Sequence, residues 1–121
     1  MTILIVDDSR TMRMIIRRTL RQAGYDFQTV YEASNGVEAL SAINDSEPDV
    51  VLCDWNMPEM SGIDVLNTLR QKGEQVKFGF VTSESTEEMR SRALEAGADF
   101  FVSKPFTAET LQNALDPILN A

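Results

Sequence analysis

The sequence predicts an α/β fold in which five parallel strands form one doubly wound sheet with helices on both faces. Short apolar runs, such as residues 3–6 (ILIV) and 50–53 (VVLC), alternate with longer segments whose apolar residues recur at helical spacing. A continuous apolar run is typical of a strand buried on both faces, and strict strand–helix alternation is typical of parallel sheets with right-handed crossovers. Polar residues follow four of the five strands, which indicates a site at the carboxyl edge of the sheet.

The first half of the chain supplies three of the strands and two of the helices. An apolar stripe at helical spacing predicts the first helix, and its members are Met12, Ile15, Ile16 and Leu20. The second strand alternates apolar and polar residues, which indicates an edge position, and Pro48 closes the second helix. The predicted bounds are 2–6, 27–33 and 49–54 for the strands and 10–22 and 37–44 for the helices.

The second half of the chain continues the alternation. Gly79 inside the fourth strand indicates tight packing of a helix on the sheet. Pro117 comes too late to break the last helix but is expected to shorten it. The predicted bounds are 76–82 and 100–103 for the strands and 63–71, 83–96 and 107–119 for the helices.

Length and composition fit one globular domain comprising residues 1–121. The apolar content of 43% and the charged content of 25% are ordinary globular values. No apolar run approaches the roughly 20 residues that a bilayer span needs, and the first strand leaves no room for a signal peptide. The single cysteine, Cys53, lies within a buried run. We therefore expect a cytoplasmic protein without a membrane partner.

The charge of the chain is negative overall but uneven. A formal net charge of −8 argues against nucleic acid as a partner, because a basic patch would be expected there. Residues 10–21 nevertheless hold five arginines and no acid, and these are Arg10, Arg13, Arg17, Arg18 and Arg21. This face of the first helix is either a solvated surface or a docking surface for an acidic partner.

Polar side chains at the strand ends form the candidate site. Asp7 and Asp8 follow the first strand, Asp54 the third, and Thr82 and Lys104 the fourth and fifth. Any one of them could instead cap a helix, start a turn or lie on the surface. Three carboxylates gathered at one edge require a cation, and hard oxygen ligands in a partly open site suit Mg²⁺. A chain without histidine, whose one cysteine is buried, offers no zinc site.

A lysine and a hydroxyl beside Mg²⁺ suit the oxygens of a phosphoryl group. An aspartate carboxylate can accept such a group, and Mg²⁺ together with an ammonium stabilises the charge that develops. A Mg²⁺-dependent phosphatase with an aspartyl nucleophile and a flavin-binding domain are the alternatives. The adjacent aspartates after the first strand and the absence of a cap insertion favour neither.

The chain resembles the receiver domain of two-component response regulators, and within that family the single-domain chemotaxis regulators. The resemblance covers essentially the whole chain, and its segments are ILIVDDSRTMRMIIR, VVLCDWNMPEMSGIDVL, FVTSES and ALEAGADFFVSKPFTAETL. It implies a flavodoxin-like strand order 2-1-3-4-5. It also implies that Asp54 is the phosphoacceptor, that Asp8 and Asp54 bind Mg²⁺ directly, that Asp7 binds it through water, and that Asn56 contributes its backbone carbonyl.

The resemblance assigns further roles around the phosphoacceptor. Thr82 is expected to be the switch hydroxyl, and Lys104 to pair with the phosphoryl group before a cis Lys104–Pro105 peptide. Phe101 stands where chemotaxis members usually carry the switch tyrosine. Asn56 and Glu84 are expected to flank the water that removes the phosphoryl group, which predicts a short-lived phosphoprotein. Trp55 is expected to lie at the rim of the site.

The implied function is that of a stand-alone response regulator without an effector domain. A histidine kinase or phosphotransfer domain is expected to phosphorylate it, with the arginine-rich helix 10–22 as a candidate docking surface. Helix four, strand five and helix five are then expected to bind a target. The domain is expected to be a monomer that catalyses only its own phosphorylation and dephosphorylation. The Trp-Asn-Met-Pro run favours chemotaxis, and a phosphorelay shuttle or a regulator of another enzyme is the alternative.

Overall fold

Five parallel strands alternate with five helices in the computed structural model, which describes residues 1–120. The strands are β1 (Thr2–Val6), β2 (Thr29–Ala33), β3 (Val50–Cys53), β4 (Lys77–Thr82) and β5 (Phe100–Ser103). The helices are α1 (Arg10–Gln22), α2 (Gly36–Ser46), α3 (Gly62–Gln71), α4 (Glu87–Glu95) and α5 (Ala108–Leu119). The sheet order β2-β1-β3-β4-β5 confirms the predicted fold, with β2 at an edge. Among these helices, none is long and apolar enough to cross a membrane.

The register of the central strands brings their polar ends together. Val6 of β1 pairs with Cys53 of β3, so the residues that follow both strands emerge side by side. The Asp54 N–H donates to the Val6 carbonyl at 2.8 Å and extends this ladder by one step. On the other side of β3, the Lys104 N–H donates to the Thr82 carbonyl at 2.8 Å and aligns the ends of β4 and β5.

The two faces of the sheet carry different cores. The face under α1 and α5, which we call the aliphatic face, buries one aromatic ring, Phe100, among aliphatic side chains. These are Ile3, Ile5, Ile16, Leu20, Val50, Leu52, Val81, Val102, Leu111 and Leu115. The face under α2, α3 and α4, which we call the aromatic face, also contains aliphatic side chains. It is distinguished by Trp55, Phe78, Phe80 and Phe101. Both cores are buried from end to end, as the apolar runs predicted.

Side-chain caps decide where the helices begin. In every helix the residue before the first turn accepts a hydrogen bond from the backbone N–H three positions later, and these caps are Ser9, Asn35, Ser61, Thr86 and Thr107. The predicted start of α4 at residue 83 was therefore wrong by four residues. Thr86 is the cap, since its Oγ1 accepts from the Met89 N–H at 3.1 Å, and residues 83–86 form a loop.

The bounds of the second strand and second helix also differ from the prediction. β2 begins at Thr29, because Phe27 lies before the sheet and stacks on Tyr25 with ring centroids 5.9 Å apart. α2 runs two residues further than predicted, to Ser46, where Glu47 ends it with a left-handed backbone (φ 46°). Its first residue, Gly36, lies under Met60, whose side chain would be 2.8 Å from an added Cβ.

Three sequence expectations about packing were wrong. Gly79 does not receive a helix: an added Cβ would fall 2.2 Å from the Phe100 ring, so the glycine makes room for an aromatic of the neighbouring strand. Ile15 is 40% exposed and lies outside the buried stripe of α1. Pro117 does not shorten α5, which continues to Leu119. Asn113 one turn earlier is exposed, so the carbonyl that the proline leaves without a donor can bond water.

Candidate functional site

Three carboxylates meet at the carboxyl edge of the sheet. One oxygen from each of Asp7, Asp8 and Asp54 lies within 4.8 Å of the other two. Asp7 is 2% exposed and Asp54 is 8% exposed, whereas Asp8 is open to solvent. Carboxylates of like charge repel one another, most strongly where two of them are buried, unless a cation lies between them. The arrangement therefore indicates a cation site rather than a solvated loop.

Hydrogen bonds fix the two buried carboxylates. Asp7 accepts the Ser9 N–H at 2.8 Å through Oδ1 and pairs with Lys104 Nζ at 3.0 Å through Oδ2. Asp54 accepts the backbone N–H of Trp55 at 2.8 Å through Oδ1, and Lys104 Nζ lies 3.7 Å from the same oxygen. Lys104 is therefore the cation shared by both acids, and one lysine among three carboxylates leaves the cluster negative.

Burial sets the acidity of Asp54. Desolvation raises the pKa of its carboxyl from 3.8 to about 6. The Lys104 ammonium and the Trp55 N–H act against this rise, while the neighbouring charges of Asp7 and Asp8 add to it. The donor set thus consists of oxygen ligands with an uncompensated negative charge and one solvent-facing member. This set fits Mg²⁺, which prefers carboxylates and keeps several waters.

Thr82 and Lys104 reach the same edge from β4 and β5. Thr82 is fully buried, and its Oγ1 accepts the Glu84 N–H at 3.3 Å. The Lys104–Pro105 peptide bond is cis. Asn56 and Glu84 are both exposed in the loops that follow β3 and β4. The structure therefore gathers the acids, the lysine and the threonine at one edge, with the two exposed residues in adjacent loops.

The aromatic predictions have mixed outcomes. The Phe101 ring is 8% exposed and packs against Trp55 and Phe80, with centroids 6.3 and 6.2 Å away. Trp55 does not lie at the rim of the site, which corrects the sequence expectation. Its ring is 6% exposed and lies on Phe80 at 4.8 Å, because an indole gains more from the aromatic face than from solvent.

Gly62 is a positioning residue that the sequence analysis missed. An added Cβ would lie 2.2 Å from the Asp54 carbonyl oxygen and 2.9 Å from the Phe80 ring. The Gly62 N–H also donates to the Trp55 carbonyl at 2.7 Å. The start of α3 can therefore lie against the backbone of Asp54 only because residue 62 has no side chain. The breaker-rich loop before α3 was the available signal.

The arginines of α1 divide into two groups. Arg13 and Arg17 pair with Glu32 at 2.7 and 2.8 Å, and Arg13 also donates to the Asp7 carbonyl. Partial burial raises the pKa of Glu32, but these guanidinium groups outweigh it and hold that pKa below its usual value. The other three, Arg10, Arg18 and Arg21, are exposed and border an open groove of about 530 Å³ together with Met14.

Comparison with known proteins gives one consistent family. Residues 3–116 match the family model of the response regulator receiver domain. Chemotaxis protein CheY-3 of Vibrio cholerae is 42% identical over 120 residues, which cover 98% of this chain and 91% of that protein. The chemotaxis protein CheY homolog of Campylobacter jejuni is 40% identical over 122 residues, covering 98% of this chain and 92% of that protein.

A solved structure agrees with the sequence relatives. Vibrio cholerae chemotaxis protein CheY4 superimposes with a TM-score of 0.84 at 32% identity, and the match covers 98% of each chain. The family match, the near full-length relatives and the superposition on a solved structure agree. The chain belongs to the response regulator receiver family.

Proposed function

We propose that the protein is a stand-alone response regulator of chemotaxis that accepts a phosphoryl group on Asp54. The observation that carries the proposal is the buried Asp54 carboxylate, 3.7 Å from Lys104 and clustered with Asp7 and Asp8. The chemotaxis assignment is supported by relatives named as chemotaxis proteins, of which the chain covers 91% and 92%.

Asp54 would act as the nucleophile. Its Oδ1 is held by the Trp55 N–H, which leaves Oδ2 to form the bond to phosphorus. As that bond forms, the P–N bond of a donor phosphohistidine breaks and the imidazole leaves with the electron pair. Lys104 already lies beside both buried acids, so its ammonium would neutralise the oxygens of the arriving phosphoryl group.

The groups that would hold Mg²⁺ are the carboxylates of Asp7, Asp8 and Asp54 and the backbone carbonyl of Asn56. When bound, the ion would offset the charge of the acids and of the transferring group. The chain's own groups fix the acids beforehand, because Asp7 is tied to the Ser9 N–H and to Lys104. The domain would catalyse only its own phosphorylation and dephosphorylation.

The switch would run from Thr82 to Phe101. A phosphoryl group on Asp54 would offer the Thr82 hydroxyl a charged acceptor for its proton, whereas in its present contact the hydroxyl oxygen only accepts from the Glu84 N–H. Movement of Thr82 would change the packing of Phe101 and thereby the surface of α4, β5 and α5, where a target would bind. Asn56 and Glu84 would set the rate at which water removes the phosphoryl group.

The donor would be a histidine kinase or a phosphotransfer domain. Its docking surface would be the exposed arginine patch of α1, which is formed by Arg10, Arg18 and Arg21. This patch is positively charged although the chain as a whole has a net charge of −8, so it suits an acidic surface of the donor. A monomeric state, expected from the family resemblance, and a cytoplasmic location, expected from the sequence, complete the proposal.

Labelling with a small phosphodonor tests the central assignment. Acetyl phosphate with Mg²⁺ should add one phosphoryl group by intact mass, and hydroxylamine should remove it. Asp54→Asn keeps the shape of the side chain but lacks the nucleophilic carboxylate, so it should remain unlabelled. Asp45→Asn on the exposed side of α2 is the matched control and should be labelled like the wild type. Labelling of Asp54→Asn at the wild-type level would refute the assignment.

A further inference from the structure

Helix α4 is held to the sheet by unusually little apolar surface. Ala93 is its only fully buried residue, with Met89 partly buried beside it, while Leu94 is 54% exposed. By contrast, α3 on the same face buries Ile63, Val65, Leu66 and Leu69. Because the stabilisation from apolar burial scales with the area removed from water, α4 needs further contacts to keep its place.

Two arginines of α4 supply those contacts from opposite flanks of the helix. The guanidinium carbon of Arg90 lies 5.1 Å from the centroid of the Phe101 ring, and that of Arg92 lies 5.6 Å from Trp55. Residues two positions apart do not share a helix face, so the two side chains reach the sheet on either side of Ala93. Both distances are within the range of a cation–π interaction.

The two aromatic rings under these arginines are in contact with each other. Trp55 and Phe101 meet edge to face at 6.3 Å, and both pack on Phe80. Trp55 is the chain neighbour of Asp54, and its backbone N–H donates to the Asp54 carboxylate. A continuous path of contacts therefore joins Asp54 to α4 without passing through Thr82.

We propose that Arg90 and Arg92 are positioning residues that hold α4 over Phe101 and Trp55 and favour the state that carries a phosphoryl group. The inference rests on the proposed function: a phosphoryl group that draws the Thr82 hydroxyl away leaves space for the Phe101 ring, so the inward ring belongs with the phosphorylated state. The contacts of Arg90 and Arg92 with the two rings, which we call the clamp, hold the Phe101 ring inward. They thereby lower the free energy needed to reach the phosphorylated state. Loss of either arginine would reduce the population that is ready for phosphorylation, and the apparent affinity for a phosphoryl mimic falls with that population.

The first test is beryllofluoride binding, followed by fluorine NMR in the presence of Mg²⁺. Arg90→Met and Arg92→Met keep an apolar stem but lose the guanidinium. Lys72→Met, which removes an exposed cation just after α3, is the control. Each α4 variant should bind the mimic about two- to fivefold more weakly, as expected for exposed cation–π contacts. Lys72→Met should bind like the wild type. Unchanged or tighter binding in both α4 variants would overturn the proposal.

The second test needs no phosphoryl chemistry. Trp55 is the only tryptophan, so its quenching by acrylamide reports how well α4 covers the ring. Arg92→Met should increase this quenching, while Arg92→Lys, which keeps the charge but loses the planar group, should recover only part of the protection. Quenching of Arg92→Met at the wild-type level would show that the clamp does not exist. If beryllofluoride fails to bind even the wild type, the proposed function fails while this test still judges the clamp.

Discussion

The aliphatic and aromatic faces of the sheet are built from the same strands but are closed by very different helices. On the aliphatic face, α5 buries Leu111 and Leu115 completely, directly over β5 and its neighbours. On the aromatic face, α4 covers the same part of the sheet with Ala93 and the two arginines at positions 90 and 92. One helix is fixed by interdigitated apolar side chains, and the other rests on aromatic rings.

This difference indicates that one face fixes the positions of the site residues while the other can change its packing. Close-packed aliphatic side chains have few alternative arrangements, so the aliphatic face keeps β1 and β3 in register and the acids in place. Aromatic rings that meet at 4.8 to 6.3 Å under a lightly held helix can repack with less loss of buried area. The site lies where the two faces meet, and only the aromatic face is suited to change with its state.

The largest effect should come from breaking the aliphatic face. Leu111→Ala removes a fully buried side chain and should lower the free energy of unfolding by about 2–5 kcal/mol. Leu94→Ala, the same change on the exposed side of α4, should stay within about 0.5 kcal/mol of the wild type. Urea unfolding measures both. Equal losses in the two variants would contradict the assigned difference in packing.

The Asp54 carboxylate should lower the free energy of unfolding whenever it is charged. Its folded-state pKa of about 6 exceeds the ordinary 3.8, so its contribution to stability is fully present below pH 3.8 and is lost as the pH rises through 6. A difference of this size corresponds to about 3 kcal/mol. Asp54→Asn should therefore be more stable than the wild type at pH 8 without metal, by up to that amount.

The control for this prediction is the pH itself. The advantage of Asp54→Asn should shrink as the pH is lowered from 8 to 5, because the wild-type carboxyl then takes up a proton. Added Mg²⁺ should stabilise the wild type more than the variant. Urea unfolding in EDTA and in Mg²⁺ at both pH values measures all four cases. A variant less stable than the wild type at pH 8 would show that burial does not destabilise the charged form of the Asp54 carboxyl.

The sequence pattern was sufficient to predict the strands but not every helix start, and the order of the strands came from the family resemblance. Apolar runs of four or five residues are unambiguous when charged or breaker residues bound them, as residues 3–6 and 50–53 show. The segment between β4 and α4 contains three hydroxyl residues that could each cap a helix, Ser83, Ser85 and Thr86. Only the packing of Met89 and Ala93 on the sheet selects Thr86.

For the site, the sequence predicted the polar residues better than their surroundings. Asp7, Asp54 and Lys104 follow buried strands, so the topology alone brings them together. The direction of the Trp55 ring and the contacts of Arg90 and Arg92 depend on how α4 sits over β5. Such contacts join residues that are distant in sequence and share no periodic pattern, and hence they became visible only in the structure.

Two buried threonines allow a sharper comparison of the faces. Thr82 lies at the site, whereas Thr19 lies on α1 and donates to the Ile15 carbonyl at 2.7 Å. Thr82→Ala should leave labelling of Asp54 largely intact but remove roughly 1–2 kcal/mol of coupling to the aromatic face. The beryllofluoride-induced change in Trp55 emission should shrink accordingly. Thr19→Ala should cost about 1 kcal/mol of stability and leave that emission change intact.

An unchanged emission response in Thr82→Ala would mean that the signal leaves Asp54 by another route. The path through Trp55 and Arg92 is then the candidate, since it contacts Asp54 directly. The double variant Thr82→Ala/Arg92→Met would separate the two routes. A loss in the double variant that exceeds the sum of the single losses would indicate that both routes act on the same movement of α4.

The smallest effect should concern how long the phosphoryl group persists. Water must attack phosphorus in line with the bond to Asp54, so residues beside that approach set the rate. Asn56 and Glu84 are both exposed in the flanking loops, and neither is large enough to close the approach. Their polar tips can hold a water there, which supplies part of the positioning that an enzyme would provide. Asn56→Arg should slow the loss of phosphate about two- to tenfold, corresponding to at most about 1.4 kcal/mol.

The side chain of residue 56, rather than the metal site, is what this substitution should change. Mg²⁺ affinity should stay close to the wild-type value, because residue 56 is expected to contribute only its backbone carbonyl. Glu59→Arg is the matched control, since Glu59 is an exposed residue of the same loop and also gains a guanidinium. Phosphate release after removal of acetyl phosphate, measured side by side, tests the prediction. Equal decay in all three proteins would show that the side chain at position 56 does not control the approach of water. Slow decay in Glu59→Arg alone would assign that control to position 59.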